Sequence, residues 1–183
     1  VEPDAALVAR ATAGDREAFG ALVIRYQESV RRVTRAVTGN AEDGDDAAQD
    51  AFLSALDRLE TYDPSRPLGP WLMRIASNAA IDLVRRRTVR AAFPLEPHVA
   101  AGGPGPAGDA EAAEIRRELA AALAELPPRQ RAAVTLFDVE GYAHAEIAAI
   151  LGVPEGTVRS DVFHARRTLR KALRAYGPEP TEG

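Results

Sequence analysis

The residues of this 183-residue chain that can do chemistry are mostly arginines and carboxylates, and they fall into three blocks. Between Glu42 and Glu60 stand Glu42, Asp43, Asp45, Asp46, Asp50, Asp57 and Glu60 against Arg58 alone. Between Arg74 and Arg90 the balance reverses, with Arg74, Arg85, Arg86, Arg87 and Arg90 against Asp82. Between Glu155 and Tyr176 it stays positive, with Arg159, Arg166, Arg167, Arg170, Lys171 and Arg174 against Glu155 and Asp161. The overall charge is −4, so it is the distribution that matters. One acidic block and two basic ones fit one protein-facing surface and two phosphate-facing ones.

Other chemistries are poorly served. Cysteine is absent, which removes disulfides and thiolate metal sites. Three histidines, His98, His144 and His164, stand far apart in the sequence, and no metal site, cofactor or catalytic set is expected. No apolar run approaches the roughly 20 residues of a membrane span, and the first residues do not read as a secretory signal. A cytoplasmic protein without membrane insertion is the expectation.

The sharpest spacing lies in Tyr142–Ala165, YAHAEIAAILGVPEGTVRSDVFHA. A helix-turn-helix needs a small residue where its helices cross, a tight turn four residues later and a buried apolar residue six beyond that. Ala148, Gly152 and Val158 meet that spacing. The second helix can bury Val158, Val162, Ala165, Leu169 and Leu173 and present Arg159, Ser160, His164, Arg166, Arg167 and Arg170. In this motif the first residues of the second helix enter the major groove. Thr157, Arg159 and Ser160 are therefore expected to reach base edges, and Arg166, Arg167 and Arg170 to meet phosphates.

The elements that must position these residues read as helices throughout. Asp15 can cap a helix with Phe19, Leu22, Val23, Tyr26, Val30, Val33 and Val37 on one face, closed by Gly39. A second helix is expected from about Asp43 to Tyr62, with Ala48, Ala51, Phe52, Ala55, Leu56 and Leu59 inward. A proline-bounded loop then leads to Pro70 as a first helical residue, and the next helix buries Leu72, Ile75, Ala76, Ala79 and Leu83. Gly102–Gly108 is too poor in bulk to repay the entropy of ordering. About 18 residues there could span ~60 Å extended or ~20–25 Å relaxed. Beyond it, Asp109 can cap a helix carrying Ile115, Leu119, Leu123 and Leu126, and Pro127-Pro128 starts another that Gly141 ends. The fold expected is all-α: a helical domain over 1–90, a flexible linker over 91–108, a four-helix domain over 109–176 and a disordered tail over 177–183.

The first domain holds a second informative string, Tyr62–Arg87, YDPSRPLGPWLMRIASNAAIDLVRRR. Arg74, Asn78, Asp82 and Arg85 recur at four, four and three residues, forming a polar stripe beside Trp71. An aromatic, an amide and arginines near a loop suit a single-stranded nucleic acid, by stacking, amide contacts to bases and cations on the backbone. Trp71 equally suits the core of a thin bundle.

These strings, with Asn40–Leu56 and Leu126–Ser160, resemble the extracytoplasmic-function group of bacterial sigma factors over almost the whole chain. The resemblance implies that Asp46, Gln49, Asp50, Phe52 and Leu53 dock on the clamp helices of the largest subunit of core RNA polymerase, and that the flap is a further contact. It implies that the loop with Ser65 and Arg66, together with Trp71, Arg74, Asn78, Asp82, Arg85 and Arg86, recognises and helps melt the −10 element of promoter DNA. It assigns the −35 element to the second helix of the helix-turn-helix, the linker to a path towards the RNA exit, and an anti-sigma factor as a further partner. Asp161 and His164 stand where many relatives carry arginine, and Asp161 is expected to repel nearby phosphate.

Two other classes compete. Asp45-Asp46-Ala47-Ala48-Gln49-Asp50 resembles the magnesium site of helical prenyl-transfer enzymes, which need carboxylates on one helix face. Gln49 interrupts it and no second aspartate-rich motif follows. A one-component regulator would share the helix-turn-helix but leaves the acidic and Trp71–Arg87 strings unexplained.

Overall fold

Asp15 starts the first long helix as its position requires: its carboxylate accepts from the backbone N–H of Glu17 at 3.0 Å and of Ala18 at 3.2 Å. The computed structural model describes residues 2–92 and 110–176. Helix α1 (Asp4–Thr12) precedes that cap and lays Leu7, Val8 and Ala11 against α2 (Arg16–Thr38). Gly39 ends α2 at φ 79°, a left-handed conformation that glycine adopts without a side-chain clash. Asn40 then caps α3 (Ala41–Asp57) through its side-chain oxygen.

Alanine sets the spacing of the first four helices. Ala47, Ala48, Ala51 and Ala55 are all buried on α3, and Gly44 lies where an added Cβ would fall 2.6 Å from the Arg35 Cα. The backbones of α2 and α3 therefore approach too closely for any side chain at 44. The helix expected to reach Tyr62 stops at Asp57 and tightens into a 3₁₀ turn, Leu59–Thr61. That turn lets Leu59 and Tyr62 join a small core with Leu7, Val8, Leu22 and Leu68. Leu56, expected inward, is 44% exposed. Helix α4 (Leu68–Ala92) begins two residues before Pro70. Proline fits the first turn because an N–H there lacks an intrahelical partner in any case.

The remaining helices are α5 (Ala110–Ala124), α6 (Pro128–Asp138), α7 (His144–Leu151) and α8 (Glu155–Ala172). Pro128 opens α6 as its first residue, and Gly152 makes the turn between α7 and α8 at φ 66°. Val158 is fully buried and Ala148 half-buried, as a helix-turn-helix needs. Leu126, Val134 and Ala165 form a local core with Leu123 and Leu169. Of the expected linker, Ala91 and Ala92 continue α4. Residues 93–108, the Asp109 cap and the tail 177–183 lie outside the described residues.

The two groups of helices also share a core. Val30, Val33, Val37, Leu72, Met73 and Ala76 belong to one cluster with Ala132, Ala133, Leu136, Ile147 and Ile150. Helix α6 packs on α2 and α7 packs on α4. At this seam Arg131, only 9% exposed, donates to the Val37 carbonyl at 2.8 Å, and to those of Leu126 at 2.9 Å and Ala124 at 2.8 Å. Val37 lies in the last turn of α2, where carbonyls lack helical partners and the dipole favours a cation. Burial pulls the Arg131 pKa below its ordinary value. Arg32 pairs with Glu140 at 2.7 Å across the same seam. The Tyr142 hydroxyl sits so close to Gly69 that a Cβ there would meet it at 2.9 Å.

Candidate nucleic-acid and polymerase interfaces

Helix α3 offers its surface with 3–4 spacing. Asp46, Gln49, Asp50 and Leu53 are exposed along one side, and Leu53 is 55% exposed, a large apolar group left in water among acids. Phe52, half-buried, packs against the shared core instead. Leu56 joins the exposed apolar set, and only the local tightening after Asp57 would have revealed it. Asp45 is bound by Arg35 at 2.8 Å and lies near Arg31, and Asp43 is paired with Arg87. The Arg35 hydrogen bond holds the Asp45 carboxyl below the usual carboxylate range. An arginine thus neutralises Asp45, the first carboxylate of the aspartate-rich string, and another neutralises its neighbour Asp43, which disfavours a magnesium-diphosphate site.

On α4 the expected stripe forms. Arg74, Asn78, Asp82, Arg85 and Arg86 are all exposed. Asp82 lies within 3.9 Å of Arg85, and its carbonyl accepts from Arg86 at 3.3 Å. A shallow groove lined by Asp50, Leu53, Asp57, Asp82, Arg85 and Arg86 joins this stripe to the α3 face. The loop before α4 is pre-shaped. Asp63 accepts from the backbone N–H of Ser65 at 2.9 Å and its hydroxyl at 2.7 Å, which lowers the Asp63 pKa. The Tyr62 hydroxyl donates to the Arg66 carbonyl. Ser65 and Arg66 project outward. Trp71 is half-buried, its ring 5.4 Å from that of Tyr62 and tilted by 59°. In this state it serves the core.

Helix α8 has one apolar face and one cationic face. Arg159, Ser160, Phe163, His164, Arg167, Arg170 and Lys171 are exposed, and Thr157 is half-buried at the edge. Phe163 is 63% exposed in the middle of the cations, where sequence reasoning passed over it. Its angular position between Arg159 and Arg167 was the available signal. Not every cation is free. Arg159 pairs with Glu155. Arg166, half-buried, is held by Asp138 and lies 4.8 Å over the Phe137 ring, so it braces α8 on α6. The expected repulsion by Asp161 is overturned: Asp161 is 4% exposed and turned into the protein against Arg129.

Comparison with known proteins agrees with this geometry. Residues 22–90 match the family description Sigma-70 region 2, and residues 116–169 match Sigma-70, region 4. The ECF RNA polymerase sigma factor SigM of Mycobacterium tuberculosis is 39% identical over 172 residues, covering 93% of this chain and 84% of that protein. SigE of Mycolicibacterium smegmatis is 37% identical over 99% of this chain and 72% of its own length. Among solved structures, CnrH in complex with the cytosolic domain of CnrY superposes with a TM-score of 0.68 at 30% identity, over 95% of this chain and 99% of that one. Two regions in the right order, on helices that present the right faces, place this chain in the extracytoplasmic-function group of RNA polymerase sigma factors.

Proposed function

We propose that this sigma factor, which directs promoter recognition and transcription initiation, divides its work between α4 and α8. The observation carrying this division is the pair of exposed polar stripes, Arg74–Asn78–Asp82–Arg85 on α4 and Arg159–Ser160–His164–Arg167 on α8. On α4 the stripe, with Ser65, Arg66 and a released Trp71, captures an unstacked base of the −10 element. Such capture offsets an unstacking cost of a few kcal/mol. On α8, Thr157, Arg159, Ser160 and His164 face the major groove of the −35 element, and Arg167 and Arg170 face its phosphates. The acidic and apolar face of α3 (Asp46, Gln49, Asp50 and Leu53, with Phe52 behind) docks on the clamp helices of core polymerase, and the second module meets the flap.

Two promoter elements some 25 base pairs apart are separated by about 85 Å of duplex at ~3.4 Å per base pair. Helices α4 and α7, packed directly together, cannot bridge that distance. The modules 1–90 and 109–176 therefore part along the Arg131 seam when the protein loads, with 91–108 as the tether running towards the RNA exit path. Joining two modest grips on one scaffold raises effective concentration. CnrH is solved with the cytosolic domain of CnrY, and an anti-sigma protein that holds this chain closed is the matching partner here. The protein acts in the cytoplasm, where its polymerase is; among the described residues no helix is long and apolar enough to cross a membrane.

Run-off transcription from genomic fragments, with core polymerase and with or without this chain, tests the reading. New start sites preceded by a shared pair of elements are expected. Their absence would overturn it.

A further inference from the structure

Asp161 is the one acid beyond the first turn of a helix whose outward face is otherwise cationic, yet it is almost wholly buried. Its carboxylate accepts from Arg129 Nε at 2.7 Å and Nη2 at 3.3 Å, a two-pronged pairing that fixes orientation as well as distance. Arg129 is the second residue of α6. A cation there opposes the positive end of the helix dipole, and Asp161 compensates it. The hydrogen bond that Arg129 donates to Asp161 raises the Arg129 pKa above its ordinary value.

Asp161 lies three residues after Val158 and four before Ala165, both fully buried. It therefore belongs to the inner face of α8, and its tie to α6 resists rotation of the helix about its own axis. Each residue along an α-helix turns through about 100°. A modest rotation would move Ser160, Phe163 and Arg167 away from the centre of the outer face. We infer that Asp161 is a positioning residue for promoter reading: through Arg129 it sets which side chains of α8 face the −35 duplex, and it does not touch DNA. This rests on α8 being the −35 reader.

The inference differs in sign from the view that Asp161 deters phosphate. If Asp161 only repelled DNA, Asp161→Arg would add a cation to a basic face and strengthen −35 use. As a positioning residue it faces Arg129, so the same change sets two guanidinium groups against each other on the inner side of α8 and turns the helix away.

The experiment compares reconstituted holoenzymes carrying the wild-type chain, D161N, D161R, R129D and the double variant R129D/D161R. Initiation is measured on a promoter and on its single-base −35 substitutions, beside affinity for core polymerase and far-ultraviolet helicity. D161R and R129D are each expected to cut −35-dependent initiation by about tenfold or more and to flatten the base-preference profile. The double variant, with the charges exchanged, should recover to within a few-fold of wild type and regain the profile. D161N, which keeps the shape and loses the charge, should fall several-fold with helicity and core affinity intact. Initiation by D161R equal to or above wild type would overturn the inference. So would a double variant no better than its parents, or a D161N loss spread evenly over all −35 sequences. A wild-type protein indifferent to every −35 substitution would instead remove the reading of α8, and this inference with it.

Discussion

Helices α4 and α8 both expose a row of arginines, yet they are built differently. Helix α8 has a single apolar side, with Val158, Val162 and Ala165 buried and every residue opposite them in water. Helix α4 is apolar on two sides. Leu72 and Ala76 are buried on one, Met73, Ser77 and Ile81 on the next, and only a narrow strip with Arg74, Asn78, Asp82 and Arg85 is left outside. The chemistry of the outward rows differs too. On α8 it is cations around an aromatic, suited to an intact groove. On α4 it is an amide and a carboxylate between arginines beside a shaped loop, suited to a base that has left its stack. A helix wrapped on two sides is held rigidly, as a device that captures a single base requires.

The largest break in this comparison should come from Asn78→Ala. An amide contacting a base edge contributes ~1–3 kcal/mol, so open-complex formation on duplex promoters should fall by about tenfold or more. The loss should largely vanish on a template with a pre-formed bubble across the −10 element. Permanganate footprinting of both templates measures it, and equal defects on the two would remove Asn78 from base capture.

Arg159→Ala should behave in the opposite way. The loss, again ~1–3 kcal/mol for a base-reading arginine, should fall on promoters with an intact −35 element, and a bubble at −10 should not restore it. Competition between intact and scrambled −35 promoters reads this directly. Arg167→Ala should be milder and unselective, weakening all sequences alike and reducing the salt slope of promoter binding by about 1.

These outcomes bear on what the sequence could reveal. Periodicity sufficed for α8 because its two faces are chemically distinct, and the caps at Asp15 and Gly39 and the turn at Gly152 carry their own local physics. Periodicity was less informative for α4: Met73 and Ser77 are buried on a helix that packs on α2, on α3 and, far along the chain, on α7. The Ser77 hydroxyl has no hydrogen-bond partner among the described residues, and no local pattern announces a buried polar group. Arg131 stands among charges in its string, and only three carbonyls, two at the end of α5 and one at the end of α2, receive it as a buried one. Asp161 misleads for a related reason: its charge suggests the outer face, whereas its spacing from Val158 and Ala165 places it on the inner one.

The smallest expected effect isolates the aromatic on α8. Phe163 is the exposed large apolar residue at the centre of a cationic face. A phosphate gains nothing from it, whereas the 5-methyl group of thymine in the major groove gains an apolar contact. Replacing a −35 thymine by deoxyuridine removes that methyl group while preserving every hydrogen-bonding edge. One buried methyl-sized group is worth ~0.8 kcal/mol, so the substitution should weaken −35 use by about fourfold at the position beneath Phe163 and leave the others unchanged. In Phe163→Ala the two bases should become equivalent at that position. If they already are in the wild-type protein, Phe163 does not read the groove. The row on α8 would then be a cationic grip with a single reading arginine, and its contrast with α4 would rest on Asn78 alone.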